Sequence, residues 1–446
     1  MARAKKETAL TPEERLQAAL VPDWERPHKL PENWCWTYLT KAAECLDNFR
    51  KPINATERAG RNGNVPYYGA TGQVGWIDDF LTDEDLVLLG EDGAPFLDLI
   101  KDKAYLITGK AWVNNHAHIL RSLFGDTGNR YLLHYLNSFN YAGYVNGTTR
   151  LKLTRASMDT IPIPLPPLAE QQRIVDRIES LFAKLDEAKE KAQAVVDSFE
   201  TRRAAILHKA FTGELTAKWR EEHGVRVESW EKKSVGELCI SLKYGTAKKS
   251  DASGNVVVLR MGNLQQGEID WSDLAYSNDL DDIERYKLFP GDVLFNRTNS
   301  AALVGKTAIY RGEYPAIYAG YLIKLDYDHD KIIGDYLNYA LNTLDAKKYC
   351  NSVKTDGVNQ SNINAKKIGA YSFNVPNIPE QEKIVSVIQK LLSKEQQSKA
   401  AAEIVLDQIE LMKKSILARA FRGELGTNDP SEESAVELLK EIIRRG

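Results

Sequence analysis

A repeated joint between a proline-rich segment and a long helical pattern constrains this chain more than any other feature. The segment IPIPLPPLAEQQRIVDRI at residues 161–178 has a second copy, FNVPNIPEQEKIVSVI, at residues 373–388. At a constant spacing of 210 residues, 20 of the 50 positions from Pro166 to Leu215 are identical to their counterparts, without a gap. Chance similarity does not explain such a match, so the chain is a tandem duplication and its fold must repeat.

Both copies predict a long helix with an apolar seam along one face. Apolar residues recur at alternating steps of four and three, which is typical of a coiled coil. Pro167 and Pro379 stand where the helices begin, and Gly213 and Gly423 stand where they end. The predicted seam includes Ile174, Ile178, Leu181, Leu185, Val195, Phe199, Ile206, Ile384, Ile388, Leu391, Val405, Ile409, Met412 and Ile416.

Polar residues interrupt this seam at Arg202, Glu395 and Ser398. The packing there is predicted to be loose or to include a polar partner. A helix of about 43 residues is roughly 64 Å long, and an apolar stripe of that length is not stable alone in water. Because the two helices match in length and seam, we predict that they pair antiparallel within the chain, with pseudo-two-fold symmetry; association between two chains is the alternative.

A globular segment precedes each long helix and begins at a tryptophan, in LPENWCWTYL and VESWEKKSV. Short apolar runs between Gly, Asn and Asp predict strands, and occasional helical patterns predict an α+β domain. The segments are also similar at EDLVLLGEDGA (84–94) and GDVLFNRTNSA (291–301). The predicted parts are an N-terminal arm (1–29), a first domain (30–160), a first joint and helix (161–216), a second domain (217–372), a second joint and helix (373–426), and a helical C-terminal tail (427–446) close to the arm.

The composition limits how this chain could bind nucleic acid. The net charge is −3, and residues 31–160 carry 13 basic against 15 acidic side chains. A protein that holds DNA unaided presents clustered Lys and Arg, so DNA binding here needs local charge separation or a partner. The sequence contains no run of 18 apolar residues and no secretory leader, so a cytoplasmic location is expected. The four cysteines lack metal-ligand spacing, which predicts reduced thiols and no metal site.

Catalytic motifs are missing. The Pro166-Pro167 pair lacks the polar and aromatic neighbours of an adenine methyltransferase loop, and GATGQVG at 69–75 lacks the GxGxxG spacing. Gly305-Lys306-Thr307 imitates the end of a P-loop, but Ser300 replaces the first glycine. We therefore predict a binding protein without catalytic residues and without a cofactor of its own.

Over nearly its whole length the chain resembles the specificity subunit of Type I restriction-modification systems. The resemblance rests on IPIPLPPLAEQQRIV with a helix ending in AFTGEL, on EQEKIV with a helix ending in AFRGEL, and on VPYYGATGQVGWID and LFPGDVLFNRTNS. The second joint departs from the pattern, because Asn374 and Asn377 replace prolines of the first copy.

The resemblance implies a fold and a role. Each globular domain would be a target-recognition domain that reads one half of a bipartite, asymmetric DNA site. The helices would set the spacing and dock two methyltransferase subunits through their outer faces and the AFTGEL and AFRGEL ends. With restriction subunits the complex would methylate adenine at N6 and cleave DNA, using S-adenosylmethionine, ATP and Mg on the partner subunits, while this chain is non-catalytic. The alternative is a two-headed adaptor for protein or glycan partners, without nucleic-acid contact.

Candidate DNA-binding residues are polar side chains on loops that can present donors and acceptors to base edges. Arg150 and Arg297 are the strongest candidates, whereas Tyr67 and Tyr68 are predicted to pack inside the domain. Many Asn and Thr residues also cap turns, so each candidate has that alternative role. The candidates are Thr71, Lys110, Asn114, Asn115, His116, Thr148, Thr149 and Arg150 in the first domain, and Arg260, Asn263, Arg297, Thr298, Asn299, Lys306, Asn359, Gln360 and Ser361 in the second.

Overall fold

The structure is a computed structural model that describes residues 11–358 and 360–445. The chain divides into two compact units: Met1–Ala192 with Ile404–Gly446, and Gln193–Glu403. Each unit holds one α+β domain, the first half of one long helix and the second half of the other. The predicted duplication and fold class are confirmed.

The first unit contains short helices and several small sheets around the long-helix segments. Its helices are Pro12–Ala19, Leu39–Ala42, Ala55–Ala59, Gly125–Ser138, Arg155–Asp159 and Ala435–Arg445. Its strands are Cys35–Tyr38, Ala43–Cys45, Val65–Gly69, Gly72–Ile77, Thr82–Asp83, Leu86–Gly90, Ala104–Ile107, Lys110–Val113, Ala117–Ser122, Val145–Asn146, Lys152–Leu153 and Pro162–Leu165.

An antiparallel sheet forms the centre of the first domain. Its strand order is Ala43–Cys45, Ala117–Ser122, Leu86–Gly90, Ala104–Ile107. In the third of these strands Val87 and Leu89 pack in one buried cluster, and Leu86 and Leu88 pack in another. Both faces of this strand are therefore buried, which explains its continuous apolar run.

The second unit repeats this plan. Its helices besides the long-helix segments are Ala217–His223, Val235–Leu238, Leu280–Arg285, Gly334–Leu341, Leu344–Val353 and Ala365–Gly369. Its strands are Glu231–Ser234, Cys239–Tyr244, Val256–Leu259, Leu264–Gln265, Glu268–Ile269, Tyr276–Ser277, Val293–Asn296, Thr298–Asn299, Thr307–Ile309, Ala316–Tyr318, Leu322–Tyr327, Thr355–Asp356, Ser361–Asn362 and Ser372–Val375. The central sheet has the order Cys239–Tyr244, Leu322–Tyr327, Val293–Asn296, Thr307–Ile309.

Backbone hydrogen bonds define which residues of the two domains correspond. The equivalent bonds are Glu91 N–His116 O and Leu153 N–Glu91 O in the first domain, and Arg297 N–Tyr321 O and Ile363 N–Arg297 O in the second. Arg297 is therefore the counterpart of Glu91, whereas the sequence similarity placed it opposite Gly90. The alignment by sequence is therefore shifted by one residue, because the two domains share the pattern of backbone hydrogen bonds but not the side chains.

The repeated joint is a strand that pairs with the tryptophan-containing strand of its own domain. Residues Pro162–Leu165 pair antiparallel with Cys35–Tyr38, and Ser372–Val375 pair with Glu231–Ser234. These sheets have two strands each, so every strand has one free edge. A proline, which lacks an N–H donor, can therefore stand in such a strand without losing hydrogen bonds to a further strand. The duplicated chain needs the joint twice because each domain closes on the strand that leads into a long helix.

The long helices begin and end as the sequence predicts. The first runs over Leu168–Asp197 and, after an irregular Ser198, over Phe199–Phe211; the second spans Ile378–Ala420. Both stop before a glycine in the left-handed region, with φ of 84° at Gly213 and 73° at Gly423.

Within each unit the two helix segments pack antiparallel. Residue numbers on one segment rise while those of their partners on the other segment fall. The contacts are Phe182 with Lys413 and Lys189 with Glu410 in the first unit, and Phe199 with Lys399 and Arg202 with Glu395 in the second. The antiparallel arrangement is confirmed.

The seam has a polar step and two differences from its predicted course. Arg202 Nε donates to Glu395 Oε2 at 2.5 Å, so these two interruptions meet each other. Val405 and Met412 are 39% and 49% exposed, and they are the two predicted seam residues that point outward. A straight helix drifts relative to a seven-residue repeat, which moves the contact to neighbouring positions. The other predicted seam residues are buried (Ile174, Ile178, Phe199, Ile384, Ile388, Ile409) or half-buried (Leu181, Leu185, Val195, Ile206, Leu391, Ile416).

The two ends of the described chain lie together in the first unit. Thr11 caps the helix Pro12–Ala19 through a hydrogen bond to Glu14 N. Ala19 of this helix packs in one apolar cluster with Leu439 of the C-terminal helix Ala435–Arg445. The predicted proximity of arm and tail is confirmed for the described residues.

Candidate nucleic-acid interface

Three loops of the first domain meet at Asp92. Asp92 Oδ1 accepts a hydrogen bond from Arg150 Nη2 and lies 2.8 Å from His116 Nδ1. The Asn114 side chain is buried and accepts from His116 N at 2.8 Å, which fixes the turn that carries Asn115 and His116. The structure thus brings several of the candidates together around a carboxylate that the sequence analysis did not single out.

The other candidates of the first domain lie around this cluster or away from it. Thr148 and Thr149 are exposed in the same hairpin as Arg150, and Thr71 is exposed at the turn between strands Val65–Gly69 and Gly72–Ile77. Lys110 stands at the opposite end of the strand that leads to Asn114, with its Nζ 4.6 Å from the centre of the Phe80 ring. Lys110 is therefore not part of the Asp92 cluster.

A buried charge network supports the loops of the first domain from below. Glu91 contacts Arg50, and its Oε1 lies 3.0 Å from Lys152 Nζ. Burial raises the pKa of Glu91, but the hydrogen bonds from these two cations outweigh it and lower the pKa overall. Because both cations lie on separate segments, the network ties those segments to the loop of Asp92.

The same network contains a group of side chains with metal-ligand chemistry, namely Cys45, Asp47 and His118, whose ligand atoms lie within 4.8 Å of one another. His118 Nδ1 lies 2.6 Å from Asp47 Oδ2, and Nε2 lies 3.0 Å from Leu153 O. Both ring nitrogens face oxygen atoms of the protein, so each already has a neighbour in the direction from which a metal would bind. Burial also raises the pKa of the Cys45 thiol to about 12, which disfavours the thiolate. This group is structural.

In the second domain the side chain of the candidate Arg297 is held by an aromatic ring and two hydrogen bonds. Its guanidinium lies 4.8 Å from the Tyr244 ring centre and donates to Gly320 O at 3.3 Å and to Asn362 Oδ1 at 3.2 Å. Asn362 in turn donates to Thr298 Oγ1 at 2.8 Å. Arg297 therefore fixes the local sheet that carries the neighbouring candidates.

The remaining candidates of the second domain divide into satisfied and exposed groups. Buried polar side chains already have partners: Asn263 binds Arg260 N, Asp270 O and Asp273 O, and Ser361 Oγ binds Asp356. Arg260 pairs with Asp273 at 2.9 Å, and Lys306 Nζ donates to Gln265 Oε1 at 2.7 Å. Asn299 is half-buried and Gln360 is exposed on the hairpin that follows Thr355–Asp356. Asn359 lies outside the described residues.

Two buried glutamates stand at the starts of the long helices and join them to other segments. Glu170 and Glu380, 210 residues apart, are completely buried. Thr427 Oγ1 donates to Glu170 Oε1 at 2.7 Å, and Thr216 Oγ1 donates to Glu380 Oε1 at 2.8 Å. In each unit the start of one long helix is thereby hydrogen-bonded to the segment after the end of the other. The sequence pointed to these positions because the same residue, glutamate, recurs at the repeat spacing.

The helix end AFTGEL packs on the second domain and AFRGEL packs on the first, in each case within one unit. Phe421 lies 5.0 Å from the Tyr135 ring and Phe211 lies 4.9 Å from the Tyr336 ring. These aromatic residues are therefore occupied inside each unit, and partner docking through them, as the sequence suggested, would have to use the neighbouring polar positions.

Comparison with known proteins identifies the family. The model of the Type I restriction modification DNA specificity domain matches residues 45–196 and 227–404, together more than half of the chain. The chain belongs to this family. Its repeated domain and its helix pair are those of a Type I specificity subunit, a non-catalytic component whose role is DNA recognition.

Individual relatives agree with this assignment. The chain is 28% identical over 329 residues to the Type I restriction enzyme StySPI specificity subunit of Salmonella potsdam, covering 70% of each chain. It is 27% identical over 370 residues to a putative Type I specificity subunit of Haemophilus influenzae, covering 80% of this chain and 86% of that one. A solved chain from a study of type I R-M complex assembly shares the fold, with a TM-score of 0.65 at 18% identity over 90% of this chain.

No helix within the described residues has the length and apolar character needed to cross a membrane.

Proposed function

We propose that this specificity subunit reads a bipartite DNA site, with one domain for each half, and that it does so from the loops around Asp92 and their counterparts beside Arg297. The observation that carries the proposal is that one backbone frame is present in both domains while the side chains on it differ. A shared frame with different polar groups is suited to presenting two readouts to two different half-sites.

The charges of the chain support a partner-assisted mode of binding. The recognition loops hold their cations in ion pairs, as Arg150 with Asp92 and Arg260 with Asp273, and neither domain is basic overall. Phosphate neutralisation must then come in large part from other subunits. We propose two methyltransferase subunits in this position, with restriction subunits in the complete complex, and S-adenosylmethionine, ATP and Mg bound by those partners in the cytoplasm.

A cleft in each unit is the proposed docking place for a methyltransferase subunit. In the first unit a cleft of about 840 Å³ is lined by Leu417 and Ala418 of the second long helix and by Phe421 directly after it. In the second unit His208 of the first long helix lines two clefts, of about 250 and 650 Å³. His208 and Ala418 are 210 residues apart, so equivalent helix faces line clefts in both units, as two copies of one partner require.

The test of modular reading is a domain exchange. Residues 30–160 are replaced by the first domain of another family member, and the sequence modified by the complete complex is determined by methylome sequencing. We expect one half-site to change and the other half-site to stay as it was. A change in both half-sites contradicts the assignment of one domain to each half.

The test of docking uses charge at the equivalent positions. His208→Glu and Ala418→Glu are each expected to reduce the number of bound methyltransferase subunits from two to one, measured by native mass spectrometry. Gln389→Arg is the control, because Gln389 is exposed on the second long helix outside these clefts. Two bound subunits in both Glu variants would exclude these clefts.

A further inference from the structure

The arginine of the Asp92 cluster is held in one orientation. Arg150 has 59% of its side chain exposed, whereas Asp92 has 18% exposed, accepts a hydrogen bond from Arg150 Nη2 and lies 2.8 Å from His116 Nδ1. Because Arg150 Nη2 also lies 3.5 Å from His116 Nδ1, Arg150 contacts the turn of His116 as well as the loop of Asp92. The carboxylate orients the guanidinium without removing it from solvent.

The Arg150 side chain packs directly against a glycine. Gly93 has φ of 75°, and a Cβ atom at this position would lie 3.1 Å from Arg150 Nε and 3.7 Å from its Cζ. The guanidinium therefore rests directly over the Gly93 backbone, in space that any other residue would partly fill. Gly147, with φ of 114°, forms the tight turn of the hairpin, because a Cβ there would lie 2.4 Å from Arg150 O.

The segments that meet here are fixed by the network below them. Gly93 N donates to Leu151 O at 3.0 Å, and Leu153 N donates to Glu91 O at 2.7 Å. Lys152, between these two leucines, pairs with Glu91. The loop of Asp92 and the hairpin of Arg150 consequently form one hydrogen-bonded piece, and the position of the guanidinium is set before any ligand arrives.

A guanidinium in this state selects one base by its hydrogen-bonding pattern. Within the described part of the chain, Arg150 makes hydrogen bonds only through Nη2, to Asp92 Oδ1 and to His116 Nδ1, so the two hydrogens of Nη1 remain available as a fork. Guanine presents two acceptors, O6 and N7, to the major groove, whereas adenine pairs its N7 with a donor and cytosine presents a donor. A donor-only fork therefore matches guanine and is repelled by the amino groups of the other two.

The equivalent position in the second domain has no arginine held by a carboxylate. Thr298 and Asn299 follow Arg297 as Asp92 and Gly93 follow Glu91, and the residue 210 positions after Arg150 is Gln360, which is exposed. No carboxylate occupies the position of Asp92 there. The arginine held by a carboxylate is thus specific to the first domain.

We propose that Arg150 is the specificity-determining residue of the first domain, that it reads a guanine in the major groove of the first half-site, and that Asp92 and Gly93 are its positioning residues. This inference rests on the proposed function, since it names the base that the proposed recognition loops select.

The test compares Arg150 variants in the assembled complex with its methyltransferase partner. Binding to the modified sequence and to duplexes with each base pair of both half-sites replaced is measured by competition at several salt concentrations. Arg150→Ala is expected to remove about 5- to 150-fold discrimination at one G·C pair of the first half-site. Arg150→Lys should not restore it, because an ammonium lacks the planar fork. Asp92→Asn should reduce the same preference and no other.

Two variants serve as matched controls. Arg155→Ala removes another exposed arginine of this domain, which pairs with Asp159, and should leave every base preference intact. Gln360→Ala alters the equivalent place of the second domain and should leave the first half-site untouched.

Several outcomes overturn the inference while leaving the proposed function standing. One is equal weakening of all sequences by Arg150→Ala with a salt slope lower by about 1, which indicates a phosphate contact. Others are full recovery in Arg150→Lys, or an affected base pair that is not G·C. A wild-type complex without any preference between half-site sequences would instead refute the proposed function, and with it the basis for this inference.

Discussion

Removing the carboxylate of Glu380 should destabilise the second unit strongly. Glu380 is completely buried and accepts hydrogen bonds from Arg220 Nη1 at 2.7 Å, Thr216 Oγ1 at 2.8 Å and Trp230 Nε1 at 2.9 Å. In Glu380→Ala the nearly buried Arg220 loses its counter-charge, and breaking such a pair from one side costs about 3–5 kcal/mol.

The lower end of that range applies here. Arg220 keeps two partners, Gly213 O at 2.5 Å and Thr216 Oγ1 at 2.9 Å, so it is not left without hydrogen bonds. We expect a loss of about 3 kcal/mol in the free energy of unfolding, which corresponds to roughly 6–12 °C in Tm for a folding unit of this size.

The equivalent change in the first unit provides the comparison. Glu170 is also buried, but its partner Arg173 is 37% exposed and has a second carboxylate partner in Glu432. Water and Glu432 can compensate Arg173, so Glu170→Ala should cost about half as much.

Urea unfolding followed by circular dichroism gives the free energies, and hydrogen exchange of peptides around residues 213–231 and 376–384 assigns the loss to the second unit. Glu380→Gln, which keeps the size and one acceptor, should fall between the wild type and Glu380→Ala. The reasoning fails if Glu380→Ala costs under 1 kcal/mol, or if Glu170→Ala costs as much.

Three further predictions concern the helices and the thiols. Replacing Arg202 and Glu395 together by leucine should leave the free energy of unfolding unchanged or raise it. Arg202→Leu alone should lower it by about 1 kcal/mol, because the half-buried Glu395 is left unpaired. Thermal unfolding of the wild type and the two variants checks this, and equal effects of the two changes would contradict it. Inserting one heptad into both long helices lengthens each by about 10 Å, which corresponds to roughly three base pairs. Methylome sequencing should then show a changed spacer between unchanged half-sites. An unchanged spacer would contradict the proposal that the helices set the spacer length. Burial raises the pKa of the Cys35 and Cys239 thiols to about 12 and of Cys350 to about 11, so a thiol reagent at pH 8 should label them slowly in the native chain and quickly in urea, and fast native labelling would refute their burial.

The sequence alone determined the architecture of this protein. A gap-free repeat at 210 residues, with an apolar seam at steps of four and three, requires two similar long helices and two similar domains, because backbone periodicity fixes which residues share a face. The sequence also indicated where polar residues meet in the seam, because Arg202 interrupts the apolar pattern of the first helix and Glu395 that of the second. Periodicity failed at Val405 and Met412, where the seven-residue pattern and the true helical repeat diverge.

The tertiary structure decided which of the candidate recognition residues remain exposed. Arg150 and Arg297 carry the same side chain, yet one is exposed on a carboxylate and the other is enclosed by Tyr244, Gly320 and Asn362. Asp92 lies 58 residues from Arg150 along the chain, so no local pattern could link them. Residue type gives the donors and acceptors that a side chain has, but only long-range packing decides which of them are satisfied inside the fold and which remain for a ligand.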